Sequence, residues 1–346
     1  MKKGFCALLV ALVSILQMQP AFSQRAYEVS DFIETLEVGR PVYYENLTII
    51  PVYAPRNYGS TNYVTLDEAL GEGKLTISEM GGGRVSEVML SNYSRDYIYI
   101  MGGEILTGCR QDRIIGRDVL IAPHRRNVVV PVYCVEEGRW TAKSDKFYSK
   151  NNLGTYELRG AAQRARADTQ SFIWGSIRDF NQRLRVSSST HAYQDAYDDK
   201  TVRSEVVLYE RRFQRIPDMH RDTVGVVVAV GGEIVSADIF VSPQIFRKLW
   251  PKILRSSAFS TINCRNGGSV SQRRAADFLS GLRSRNYYNR SAIGLGEEFS
   301  AAGGVSVNAL IYKNRVVHLA AFHEEVDYYD QRQRGSNRDR IPVSRR

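Results

Sequence analysis

Between Tyr97 and Trp140 the chain strings together three runs of β-branched and aromatic residues, joined by short polar or glycine-bearing links. Such runs read as strands, because branched and aromatic side chains fit a pleated surface. Residues 97–101 form the first, Gly102 and Gly103 supply a hairpin-type turn, and 104–106 begin the return. Residues 113–121 continue it, and 122–127 turn the chain again. The run 128–135 holds five valines, a proline and an aromatic, the pattern of a strand buried on both faces.

Ionisable and amide side chains interrupt this apolar stretch: Glu104, Gln111, Asp112, Arg113 and, at its far border, Arg139. A charge beside such strands is paired, turned to solvent or functional, since burial alone costs several kcal/mol. The functional reading makes Glu104 and Asp112 acid–base groups, with Gln111, Arg113 and Arg139 holding an anionic ligand and Trp140 stacking on it. The architectural reading pairs Glu104 with Arg113 and Glu137 with Arg139. Both readings expect these groups to share one pocket.

The two ends of the chain are of different character. Lys2 and Lys3, an apolar run over 6–16 too short to span a bilayer, and Ala21 and Ser23 before Gln24 together make residues 1–23 a secretory signal peptide. The expectation is an exported protein, periplasmic or extracellular, with no transmembrane segment in the mature chain. Residues 327–346 carry six arginines against three aspartates and few apolar groups, so a basic disordered tail is expected there.

The body divides by pattern, after a short lead over 24–34. Residues 35–140 are β-rich, with a hairpin over 38–53 and a short helix that Thr65 starts, Asp67 and Glu68 in its first turn. Residues 141–215 form a helical middle. Ile173, Ile177, Phe180 and Leu184 recur at helical spacing in one long helix over 155–186, residues 187–200 are a flexible polar link, and a second helix covers 202–214. Residues 216–326 are a second α/β lobe. It opens with strands around Gly231 and Gly232, and the echo of VGGEIVSAD in MGGEILTG is either a duplication or two hairpins sharing a turn. Ser242 and Pro243 start a helix there, and Ser269 with Gln272 caps another. The fold class is therefore α+β, two β-rich lobes joined by a helical segment and packed as one unit.

Several functions lack their signatures. The formal net charge of +10 is scattered in arginine pairs without aromatic interleaving, so nucleic acid is not expected as a partner. There is no C-x-x-C, P-loop or G-x-S-x-G, and His318 and His323, five apart on a strand, face opposite ways. No metal or cofactor is expected. Cys109 and Cys134 could pair across strands, but isolated strand cysteines are more commonly small core residues.

ENLTIIPVY (45–53), YVTLDEAL (63–70), GGEILTGCRQDRI (102–114), PVYCVEEGRW (131–140) and DIFVSPQIFRKLWPKILRS (238–256) resemble the ARPP-1 domain family over roughly 35–325. The resemblance implies a prokaryotic protein, and the family name refers to association with ADP-ribosylglycohydrolase and rhodanese/phosphatase proteins. It implies no reaction. Two functions of different class follow: a ligand-binding or interaction module of the cell envelope, meeting an envelope partner or a small anionic ligand, or a hydrolase-like enzyme acting on an anionic, nucleotide-derived small molecule through Glu104 and Asp112.

Overall fold

A computed structural model of the chain describes residues 21–54, 61–81, 84–264 and 268–324. Residues 1–20 of the expected signal peptide and the expected basic tail lie outside them.

Three sheets carry the fold. The largest holds β1 (Glu37–Val38), β2 (Val42–Tyr44), β3 (Leu47–Tyr53), β13 (Thr223–Val230), β14 (Glu233–Phe240), β15 (Tyr288–Arg290), β17 (Glu297–Ala301), β18 (Val305–Ile311) and β19 (Val316–His323). Its order is β1-β3-β13-β14-β19-β18-β17-β15, and β2 also pairs with β3, on the same edge as β1, since β13 takes the opposite edge. A second, antiparallel sheet runs β12 (Phe147–Leu153), β8 (Glu104–Gly108), β9 (Arg113–Ile115), β11 (Val128–Cys134), β6 (Arg84–Asn92) and β5 (Leu75–Met80). The third is small and mixed: β16 (Ile293–Gly294), β10 (Val119–Ile121), β7 (Ile98–Ile100) and β4 (Val64–Thr65).

The protein is thus a mixed α+β fold, but its sheets cut across the sequence halves. The hairpin over 38–53 joins the large sheet through β3, which pairs with β13 from Val230↔Leu47 to Thr223↔Tyr53. The first β-rich lobe therefore contributes strands to the second. Conversely β16 of the second half lies parallel to β10 of the first.

Both faces of the large sheet are covered. Val226, Val228 and Val230 of β13 meet Leu249, Trp250 and Ile253 of α7 (Pro243–Thr261), whereas Val224, Val227 and Ala229 face the other way, toward α1 (Ala21–Glu34) and α8 (Gln272–Arg283). This explains why β13 is buried along its whole length. The remaining helices are α2 (Leu66–Gly71), α3 (Tyr156–Arg164), α4 (Thr169–Leu184), α5 (Tyr193–Asp198) and α6 (Lys200–Phe213). Ile173, Ile177, Phe180 and Leu184 of α4 do form a buried stripe.

Several local readings change. The lead is helix α1, whose Val29, Phe32 and Ile33 are buried, and the boundary drawn after Ser23 falls inside it. Residues 155–186 make two helices, because Ala165 ends α3 in the left-handed conformation (φ 51°). The polar link over 187–200 contains α5, whose Tyr193 and Tyr197 both donate to the Leu153 carbonyl (3.1 and 2.6 Å). Strand β11 alternates, with Val129 exposed, so only one of its faces is buried. The cap of α8 is Ser271 rather than Ser269. Cys109 and Cys134 are both buried and form no disulfide.

The most consequential difference is at the two glycine turns. Gly231 and Gly232 join paired strands, β13 and β14, as a hairpin should. Gly102 and Gly103 do not: β7 pairs with β10 and β4, while β8 pairs with β9 and β12. The stretch 113–121 breaks likewise, β9 staying in the six-stranded sheet and β10 crossing to the small one. The chain therefore passes twice between sheets within twenty residues of Glu104, and polar groups collect at that crossing.

Candidate functional site

Glu104 opens β8 directly after the Gly102–Gly103 crossing and is fully buried. Its Oε2 accepts from the Met101 N–H (2.9 Å), and Oε1 meets Nζ of Lys252 from α7. Lys252, buried as well, also binds Asp67 in the first turn of α2. Burial pushes the Glu104 carboxyl up to about 7, against the pull of Lys252. Burial also opposes the charge on Lys252, but Glu104 and Asp67 outweigh it and hold the ammonium. A carboxyl near neutrality has the acidity of a general base. This one is spent on a lysine.

Asp112 sits beyond the other end of β8, where it accepts from the Gly108 N–H (3.0 Å). Glu104 and Gly108 are four residues apart, about 13 Å along an extended strand. Arg139 donates to Asp112 (3.0 Å), Glu136 (2.8 Å) and the carbonyls of Cys109 (2.6 Å) and Thr141 (2.9 Å). That guanidinium clamps two loops together. Burial raises the Asp112 carboxyl, while for Glu136 the Arg139 bond outweighs burial and lowers it. Gln111 donates to the carbonyls of Glu136 (2.8 Å) and Glu137 (3.3 Å). Arg113 donates to the carbonyls of Gln111 (2.8 Å) and Val85 (3.1 Å) and lies 3.7 Å from Glu79. Trp140 is 61% exposed.

The six residues singled out in the sequence therefore do not share a pocket. Asp112, Gln111 and Arg139 form one buried knot, Arg113 borders it, Glu104 belongs to another, and Trp140 stands in solvent. The pairings are also new: Lys252 rather than Arg113 for Glu104, Arg178 for Glu137 (2.5 Å), and Asp112 with Glu136 for Arg139.

A third network lies across the seam between sheets. His318 of β19 places Nδ1 2.8 Å from Asp118, just before β10, and Nε2 3.2 Å from Asp238 of β14. Arg159 of α3 grips Asp238 with two bonds (2.9 and 2.5 Å) and donates to the Gly102 carbonyl (3.2 Å). The Gly102 N–H donates to Asp118 (2.8 Å), so the crossing strand ties this cluster to Glu104 and Lys252. Burial disfavours charge on His318, but Asp118 and Asp238 outweigh it and raise the ring to about 9, so both nitrogens donate at neutral pH. Burial likewise opposes the Asp238 charge, and Arg159 more than compensates, holding it well below the usual carboxylate range. Phe240 stacks on the imidazole (4.3 Å between centroids). Two cations and two anions cancel here; Arg159, Asp238 and His318 are buried, and Asp118 keeps a slight exposure.

Sequence reasoning missed Asp118, Arg159, Asp238, Lys252 and His318. The signal that selected Glu104, a charge inside an apolar run, is also present in EIVSADIF and VVHLAAF.

The open space is elsewhere. A cleft of about 250 Å³ lies between β12, α5, α6 and α7. Lys150, Arg203 and Arg255 are its cations, Asp198 and Glu210 its anions, and Tyr197 with Phe259 its aromatic wall. Asn152 and Gln194 hydrogen-bond to each other there (2.9 Å). Lys150 pairs with Asp198 and Arg255 with Glu210, each at 3.0 Å, while the Arg203 guanidinium has no partner among the described residues. Among the described residues no three His, Cys, Asp or Glu side chains are placed to hold a metal ion, and no helix is long and apolar enough to cross a membrane.

Fold and charge layout define a mixed α+β protein whose fully buried charges are paired and which has a cleft of about 250 Å³ among the middle helices. The chain belongs to the ARPP-1 family, the ARG and Rhodanese-Phosphatase-superfamily-associated Protein domain, whose profile matches residues 35–322. No curated protein and no solved structure matches it. The match begins one residue after α1 ends.

Proposed function

We propose that this is an exported ligand-binding module of the cell envelope, and that its ligand is a small molecule with an anionic group, held in the cleft between β12 and the middle helices. The observation that carries the reading is Arg203: an exposed guanidinium on the wall of a 250 Å³ cleft, without a partner among the described residues where the cleft's other two cations, Lys150 and Arg255, are paired. Arginine presents a planar fork to carboxylate or phosphate. Lys2, Lys3, the apolar run and the Ala21–Ser23 pattern support export.

Glu104 keeps one point in favour of the hydrolase reading, its carboxyl near 7, but a substrate would have to displace Lys252 and Asp67 to reach it.

The test is calorimetry and thermal shift of the full chain with inorganic phosphate, succinate and alanyl-alanine, beside Arg203→Ala. At least one probe is expected to bind the parent and to fail with the variant. Absence of binding by all three, or binding that ignores Arg203→Ala, overturns the reading. Export predicts that the protein recovered from the envelope fraction begins at Gln24, and recovery of intact Met1 material in the cytoplasm alone overturns it.

A further inference from the structure

The cleft holds more than an anion site needs. Arg203, Val206, Val207 and Glu210 line it from α6 at i, i+3, i+4 and i+7, one face of that helix. The backbone positions of Arg203 and Glu210 are thus about 10 Å apart at 1.5 Å per residue. Glu210 engages Arg255 through Oε1, and Arg255 uses Nε and Nη1, the latter on the Asn151 carbonyl (3.4 Å). Glu210 Oε2 and Arg255 Nη2 carry no bond among the described residues. Near the start of α6, Asp198 is paired with Lys150 yet remains half exposed. Each end of the cleft therefore offers both signs of charge.

A dianion suits this poorly, because Asp198 and Glu210 would repel it. Between the charged ends lie the Asn152–Gln194 amide pair and an apolar wall of Val206, Tyr197 and Phe259, the two rings 4.1 Å apart. Side-chain amides match a peptide group, donor to acceptor and acceptor to donor. Two extended residues span about 7 Å, which suits the gap left once the Arg203 and Glu210 side chains reach inward. The cavity is just below the ~300–1,000 Å³ range of drug-sized sites.

Resting on the binding reading above, we infer that the ligand is a free dipeptide. Its carboxylate meets Arg203, its peptide group meets Asn152 and Gln194, its ammonium meets Glu210, and a small apolar side chain packs on Tyr197 and Phe259.

The experiment is calorimetry on the full chain with alanyl-alanine, N-acetyl-alanyl-alanine, free alanine and succinate, repeated with Glu210→Gln and Arg203→Ala. Glu210 and Arg203 are partly or largely exposed, so neither change threatens folding. Alanyl-alanine is expected to bind, and acetylation, which removes the ammonium, to weaken it about tenfold or more, the worth of one charged hydrogen bond. Glu210→Gln should weaken alanyl-alanine comparably and leave the acetylated probe unchanged. Free alanine, too short for both ends, should bind more weakly than the dipeptide. Equal or tighter binding of succinate, alanine or the acetylated dipeptide, with loss in Arg203→Ala, overturns the dipeptide and leaves the anion site standing. Dipeptide binding that survives both substitutions overturns the site, and no binding by any probe overturns both.

Discussion

Nδ1 of His318 lies 2.8 Å from Oδ2 of Asp118, a partner two hundred residues earlier in the chain, and its Nε2 faces Asp238. One buried ring thereby ties the small sheet to two neighbouring strands of the large one. Removing the imidazolium leaves Asp238 with Arg159 as its cation and takes the cation from Asp118, which keeps the Gly102 N–H.

The first prediction concerns pH. His318 has a folded pKa of about 9 against an ordinary 6.5, so folding takes up a proton. Its contribution is full below about 6.5 and is lost as pH rises through 9, on the order of 3 kcal/mol. Glu104, raised from 4.5 to about 7, loses stability over that lower window with the same sign. Asp238, held low, contributes above its ordinary 3.8 and fails only in acid. Urea midpoints should therefore fall from pH 6 to pH 9. His318→Gln should be less stable at pH 6, keep only the fall that Glu104 gives up to about pH 7, and be nearly flat from there to 9; an unchanged slope above pH 7 in the variant would sink the assignment.

The Glu104–Lys252 pair gives a second. Lys252→Met strands a buried carboxylate and should cost about 3–5 kcal/mol at pH 8. Adding Glu104→Gln should recover part of that, since the pair is coupled and Asp67 remains half-buried at the edge. Additive losses in the double variant would show that the two groups do not act on one another.

Arg139 and its neighbour Trp140 should behave oppositely, although the sequence singled out both. Arg139→Met uncovers Asp112 and Glu136 and should cost about 3–5 kcal/mol. Trp140→Ala should stay within about 0.5 kcal/mol, as an exposed side chain does. A larger loss at Trp140 in chemical denaturation would mean that the indole is covered.

Gly103 is the fourth. Its φ is +100°, and a methyl group there would lie 2.8 Å from Cδ of Arg159 and closer still to Cγ. Gly103→Ala should cost about 1–3 kcal/mol and disturb the Arg159–Asp238 pair. Gly71→Ala, with open space around it inside α2, is the control and should be neutral or stabilising by thermal melt. Equal effects at the two sites would contradict the crossing geometry.

Periodicity and local start signals were enough to place β13, β14, the Thr65 start of α2, the Ser242–Pro243 start of α7 and the buried stripe of α4, because each depends on neighbours a few residues away. It failed at Gly102–Gly103. A glycine pair marks a bend equally well whether the chain returns along the same sheet or leaves it, and only distant pairing decides which. The same holds for Glu104. An acid inside an apolar run announces that it needs a partner, but Lys252 lies 148 residues away and nothing local points to it.

The sequence by itself determined the α+β composition, most of the elements and the fact that charges are buried, since these follow from short-range sterics and from the cost of leaving water. Tertiary structure alone decided that β3 would join the large sheet, that Asp118, Asp238 and His318 would meet, and that the open cleft would lie among helices read as a connecting segment. Those outcomes depend on which surfaces exclude water from one another, a property of the assembled chain.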